Sequence, residues 1–334
     1  MFLIISILAS LFSFAQVQDP HCEVKGYSPK YLSQAFGQVT SMKKNERMPW
    51  PVSLLSIGHN MASYQYYGGG LDQAYFHHGL DIRAESGSPV HASKAGKVVN
   101  AANYNGGSPL YWEVAVLDDD GFIWQYHHIE STSIPEAIKK AFQTGGRVEK
   151  GDLIGNVVNW PVITYGERYH HIHLNILDKN KNYVNPFYFL DELTDTQAPQ
   201  ILEIGFVRKD KIVPGNHITG DYNLYLKVQD LILHDKFIVP PYEITYKINQ
   251  GEPLTVWRFD NLPGGSIEEK FANDFFIPNL TCGDYTCRKM YINLGFTQAG
   301  NRKFPTMKGD YELEVSVRDF VGNKDSKVFR YTVD

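Results

Sequence analysis

The chain has 334 residues, enough for two domains that each bury a core. Its formal net charge of −5, from 32 Lys and Arg against 37 Asp and Glu, provides no basic face of the kind that neutralises phosphates, so nucleic acid is not an expected partner. Aromatic residues at 13%, with many Val, Ile and Thr, favour strands over helices.

Residues 2–15 are apolar but short for a bilayer span, and Ser13-Phe14-Ala15 offers small residues where a signal peptidase reads. Residues 1–15 are therefore expected to be a signal peptide, with an uncleaved anchor as the alternative, although the usual basic start is missing. No later segment is apolar and long enough to span a membrane. The expected location is periplasmic or secreted, without a stable membrane anchor. Of three cysteines, Cys282 and Cys287 enclose a tight polar loop that can close as a disulfide, and Cys22 is left over. Their spacing lacks the paired C-x-x-C of a structural zinc site.

Residues 16–47 form a preamble with a short possible helix over 29–36. Met48-Pro49-Trp50-Pro51 cannot be regular structure and marks the entry to a first domain spanning 48–193. Gly68-Gly69-Gly70 is a loop. Strands are expected over 90–99, 111–117 and 122–129, the last two joined as a hairpin through Asp118-Asp119-Asp120-Gly121. One helix is expected: Ser133 to Glu136 reads as a capping box, Ala137, Ile138, Ala141 and Phe142 share a face, and Gly145 is the stop. A linker runs from Thr194 to Pro199, implying that a chain ending near residue 195 folds alone. The second domain, 198–334, alternates strictly: Tyr222, Leu224, Leu226 and Val228; Tyr242, Ile244, Tyr246 and Ile248; Tyr311, Leu313, Val315 and Val317; Phe329, Tyr331 and Val333. That pattern predicts an antiparallel sandwich, and its last hairpin resembles those of immunoglobulin-like bacterial modules. Tyr225 is expected among its exposed aromatics.

Three histidine segments carry the chemistry: His77-His78-Gly79-Leu80-Asp81, Tyr126-His127-His128-Ile129 and His171-Ile172-His173-Leu174. In a strand, side chains two or four apart share a face, so His171 and His173 project together, as do His77 and Asp81 where extended. Two imidazoles and a carboxylate leave a fourth tetrahedral position for water, the catalytic rather than the structural arrangement of zinc. Alternation turns His78, His127 and His170 away from such a site. His91 is expected to pack, and His21, His59, His217 and His234 follow no pattern.

These segments, together with Ser88-Pro89-Val90-His91-Ala92, Gly96-Lys97-Val98-Val99 and Arg147 through Gly155, resemble the lysostaphin-type (LytM-like) zinc metallopeptidases over roughly residues 48–180. The resemblance implies an all-β fold: an antiparallel β catalytic domain of the duplicated-hybrid-motif type with a zinc groove over its sheet, here followed by the immunoglobulin-like sandwich. It implies Zn2+ held by His77, Asp81 and His173, with His128 and His171 as catalytic histidines. The implied activity is hydrolysis of peptide bonds in bacterial peptidoglycan, stem or cross-bridge, by metal-activated water. Tyr165 to His170 replace the family's Gly-Pro-containing loop, Asn175 stands where an acid is common, and the helix near 133–144 enlarges a loop beside His128; these departures bear on substrate preference. The alternatives are a catalytically inactive cell-wall-binding regulator of another hydrolase, and a zinc peptidase acting on glycine-rich proteins. The partner of the C-terminal domain is left open.

Overall fold

The computed structural model describes residues 47–66, 74–262, 268–298 and 300–334. The signal peptide expected over 1–15, Cys22, His21, the helix expected over 29–36 and Gly68-Gly69-Gly70 lie outside the described residues. With 7% helix and 47% strand, the fold is all-β.

The front part is built on an antiparallel sheet in the order Ser56–His59, Leu80–Arg83, His171–Leu177, Ile123–His127, Trp112–Leu117, Gly96–Asn103, Arg147–Val148. The expected hairpin forms: Asp118 Oδ1 accepts from the Asp120 and Phe122 amides at 3.0 and 2.8 Å, while Oδ2 accepts from Trp124 Nε1 at 2.9 Å. Gly121 takes the φ of 89° that the turn requires. Period-two alternation then sorts the sheet into two faces. Leu80, Ile82, Val114, Val116, Trp124, Tyr126, Ile172, Leu174 and Ile176 enter a buried core. The opposite face collects polar residues through register: Asp81 pairs with His173, His173 with His127, and His127 with Glu113.

The helix occupies Glu136–Thr144 and stops at left-handed Gly145, as expected. Its start differs. The N-cap is Pro135 with no side-chain cap, because Ser133 Oγ donates to Glu130 O at 2.6 Å and accepts from the Asn156 amide at 2.7 Å. Ile138 and Ala141 are buried, but Phe142 is 38% exposed and leaves the expected face.

The rear part is two sheets packed face to face. One runs Lys211–Val213, Gln200–Arg208, Asn223–Leu231, Arg288–Asn293, Cys282–Gly283; the other runs His217–Ile218, Lys324–Val333, Gly309–Arg318, Glu243–Ile248, Leu254–Arg258. The alternating residues of the sequence line the space between them: Leu224, Leu226, Val228, Ile244, Leu313, Val315, Val317, Tyr331 and Val333 are all buried there. Tyr225, expected outside, is 1% exposed on the other face of its strand, its hydroxyl donating to Glu203 at 2.6 Å.

The two parts share this core. Met61, Tyr64, Phe76, Leu177 and Tyr183 from the front pack into the rear cluster, and the Phe76 ring lies 5.7–6.3 Å from those of Trp257, Phe259, Phe275 and Phe276. Strand Tyr183–Val184 pairs with Asn261–Leu262 of the rear part. The entry segment is pinned as well, Met48 bridging Leu190. The rear sheets thus cover apolar surface that a chain ending near 195 would leave exposed.

Candidate metal centre

His77 follows the short strand Tyr75–Phe76, Asp81 lies in Leu80–Arg83 and His173 in the neighbouring strand opposite Asp81. Their donor atoms all lie within 4.8 Å of one another. His77 Nε2 is 2.9 Å from Asp81 Oδ1 and 2.8 Å from His173 Nδ1, and His173 Nδ1 is 3.0 Å from the same oxygen.

The far side of each ring fixes where its proton resides. His77 Nδ1 faces two carbonyl oxygens, Asn60 O at 3.0 Å and Gly79 O at 3.1 Å, which can only accept. His173 Nε2 faces the side-chain oxygen of Asn175 at 2.8 Å. In its neutral form each imidazole carries its proton outward and turns a lone pair inward, toward a carboxylate oxygen. Three lone pairs aimed at one point are mutually repulsive unless a cation lies among them. Two imidazole nitrogens and one carboxylate oxygen, their outer atoms held by hydrogen bonds, suit zinc with an open position.

Electrostatics agree in direction. Burial lowers the His173 imidazole to about 4, with the neighbouring His77 ring adding to the effect, so the ring is neutral at neutral pH. Burial alone would raise the Asp81 carboxyl, but the surrounding His77, His171 and His173 rings outweigh it and hold the group well below the ordinary carboxylate range.

His128 and His171 stand beside the cluster with ring centroids 4.7 Å apart. His171 Nδ1 donates to Tyr169 O at 2.8 Å and His128 Nδ1 to Leu110 O at 2.9 Å, so both keep Nε2 as the lone-pair nitrogen. His171 Nε2 lies 3.7 Å from Asp81 Oδ1. Trp160 packs against both rings, at 4.4 and 5.1 Å, and Tyr111 lies 5.8 Å from His128. All five residues expected from the sequence are brought together.

Two expectations about the remaining histidines need correction. His127 was expected to turn away, but alternation fails at His128, whose φ is +65°. His127 keeps the register of its strand, opposite His173, with rings 5.2 Å apart. It lies 3.3 Å from Glu113 Oε2, and burial pushes the Glu113 carboxyl up to about 7. His59, without pattern in sequence, is 1% exposed in the strand paired with Asp81, its ring 5.2 Å from that of His77. His78 and His170 do turn away: His78 stacks on Tyr183 at 4.2 Å, and His170 Nδ1 accepts from the Trp160 amide.

Two further residues were not legible in sequence. Tyr169 donates its hydroxyl to Asp81 Oδ2 at 2.9 Å; burial, reinforced by the Asp81 charge, raises its phenol and keeps that proton in place. Arg288, from the rear part, reaches Gly58 O, His59 Nε2 at 2.9 Å and the Tyr169 hydroxyl at 3.5 Å. Burial and the Arg288 charge hold His59 well below the ordinary imidazole range, so it accepts this bond.

Residues 75–186 match the model for Peptidase family M23, and this part of the chain is an M23 peptidase domain. Among solved structures, Csd3 of Helicobacter pylori is 22% identical, with 46% of this chain and 37% of that chain covered and a TM-score of 0.33. A zinc-containing peptidase from Vibrio cholerae is 19% identical, covering 41% and 38%, with a TM-score of 0.29. A putative glycyl-glycine endopeptidase lytM from Ruminococcus gnavus is 23% identical, covering 50% and 73%, with a TM-score of 0.26. The chain thus spans well under half of the first two structures. No curated protein matches the sequence.

Proposed function

We propose that the chain is an exported zinc metalloendopeptidase that hydrolyses peptide bonds in bacterial peptidoglycan. The observation that carries the reading is the convergence of the His77 Nε2, Asp81 Oδ1 and His173 Nδ1 lone pairs, with the Nε2 sides of two further histidines beside them. A zinc ion at this point would supply Lewis-acid activation of water and of the scissile carbonyl. His77, Asp81 and His173 would hold it. His128 and His171 have their Nδ1 protons committed to Leu110 O and Tyr169 O, leaving each Nε2 to take a proton from the attacking water and return it to the leaving amine. Once protonated, the same nitrogens stabilise negative charge developing on the carbonyl oxygen. Trp160 and Tyr111, packed on the histidine rings, restrict water beside the reacting bond.

The wall substrate follows from the family resemblance of the motifs, and the same reading includes the domain limits 48–193 and 198–334 and the immunoglobulin-like character of the rear sandwich. Among the described residues no helix is long and apolar enough to cross a membrane. Export rests on the signal segment of residues 1–15. The deciding experiment is mass spectrometry of peptidoglycan fragments after digestion with and without a chelator. New amino termini that vanish with the chelator support the proposal. Wall binding without cleavage would instead identify the inactive regulator, and cleavage of glycine-rich proteins alone would identify the protein-directed peptidase.

A further inference from the structure

Arg288 is the first residue after Cys287, whose disulfide to Cys282 closes the loop at the head of strand Arg288–Asn293. Its side chain leaves the rear sandwich and is 4% exposed against the front sheet. A buried guanidinium normally takes a carboxylate partner, because desolvating an unpaired charge costs several kcal/mol. Among the described residues none forms an ion pair with Arg288. Its partners are instead Gly58 O, His59 Nε2, the Tyr169 hydroxyl at 3.5 Å and the faces of two rings, Tyr169 at 5.6 Å and Phe237 at 5.2 Å.

Those partners converge on one residue. Tyr169 donates to Asp81 Oδ2, which leaves Oδ1 as the oxygen facing His77 and His173. Gly58 and His59 lie in the strand hydrogen-bonded to the Asp81 strand, with His59 in register with Asp81. The guanidinium therefore bears on the Asp81 carboxylate by two routes, through the phenol that holds one oxygen and through the backbone opposite.

We propose that Arg288 is a positioning residue for the metal centre, holding Tyr169 and His59 so that Asp81 presents a single oxygen to the ion. The rear sandwich then completes the catalytic centre of the front sheet. This deepens the zinc-peptidase reading and rests on it.

The test is the zinc dissociation constant of the full chain, measured by competition with a chromogenic chelator. The proteins compared are the wild type, Arg288→Gln, Tyr169→Phe, the double variant and Arg288→Lys, each with its circular dichroism spectrum. Each single change to Gln or Phe is expected to weaken zinc about 10- to 100-fold, the range for lost outer hydrogen bonds at metal sites. The double variant is expected to lose less than the product of the two single losses, because the two changes share the Tyr169 route to Asp81. Arg288→Lys is not expected to restore affinity, since an ammonium cannot present the planar fork that spans these partners. Wild-type affinity in a folded Arg288→Gln chain, or losses that multiply in the double variant, would reduce Arg288 to interface packing. If Arg288→Gln does not fold, Tyr169→Phe, which deletes only a hydroxyl, decides: unchanged affinity there overturns the proposal. A folded wild-type chain that binds no zinc overturns the metallopeptidase reading itself, and this inference with it.

Discussion

His77 Nε2 and His173 Nδ1 lie 2.8 Å apart, each with its ring proton committed to the opposite nitrogen. Two facing lone pairs beside a carboxylate give the metal-free protein a concentration of negative potential that a divalent ion relieves. Zinc is thus expected to raise the melting temperature of the chelator-treated protein, in proportion to the logarithm of free zinc above its dissociation constant. His77→Ala, Asp81→Ala and His173→Ala should each abolish that shift together with activity. Thermal scans across a zinc titration check this.

In the proposed function His128 and His171 serve bond cleavage rather than metal retention. His128→Ala and His171→Ala are expected to keep stoichiometric zinc while kcat falls about 10²- to 10⁴-fold, the usual contribution of a general acid or base. Zinc content and steady-state kinetics on the same preparations separate the two effects. Wild-type turnover in either variant would remove that histidine from the mechanism.

Gly58 is where the Tyr169 ring approaches the backbone closely. A Cβ placed there would lie 2.1 Å from the phenol oxygen, inside any permitted contact. Gly58→Ala should therefore displace the hydroxyl from Asp81 and weaken zinc at least as much as Tyr169→Phe. Both affinities can be read by chelator competition.

Removing the rear sandwich should fail. A chain ending at residue 195 uncovers Tyr64, Phe76, Leu177 and Tyr183, each contributing about 1.5–3 kcal/mol when buried, and loses Arg288. We expect this fragment to aggregate, or to bind a hydrophobic dye without cooperative unfolding. A monomeric fragment with a sharp melt would show that the front core is self-sufficient.

Asp230 gives the rear part a pH signature away from the metal. It is 2% exposed, its buried Oδ2 has no hydrogen-bond partner among the described residues, and burial followed by the Asp319 charge pushes its carboxyl from 3.8 up to about 8. The folded state then keeps a proton that the unfolded chain releases, so the stability linked to this group is full below pH 4 and declines as pH rises toward 8. Asp230→Asn should flatten that decline and stabilise the chain at pH 8.5, with little change at pH 4. Urea melts at both pH values measure it.

The legible parts of this protein are those where period-two geometry operates locally. His171 and His173 share a face because they lie in a regular strand, and the rear strands show their buried residues for the same reason. His127 escaped because a single left-handed residue, His128, brings two adjacent side chains to the site, and a β-branched or charged neighbour gives no warning of that turn. Tyr169, His59 and Arg288 escaped for another reason. They meet Asp81 or one another across 88 to 229 residues, and none belongs to a spaced motif. The capping box at Ser133 matched in sequence, but tertiary contacts with Glu130 and Asn156 claimed its hydroxyl.

The most direct test is anomalous scattering at the zinc edge from crystals of the mature chain grown without chelator. A single peak about 2.0–2.2 Å from His77 Nε2, His173 Nδ1 and an Asp81 oxygen is the result expected here. An ordered site with no anomalous peak, its three side chains still in mutual hydrogen-bond contact, would contradict it.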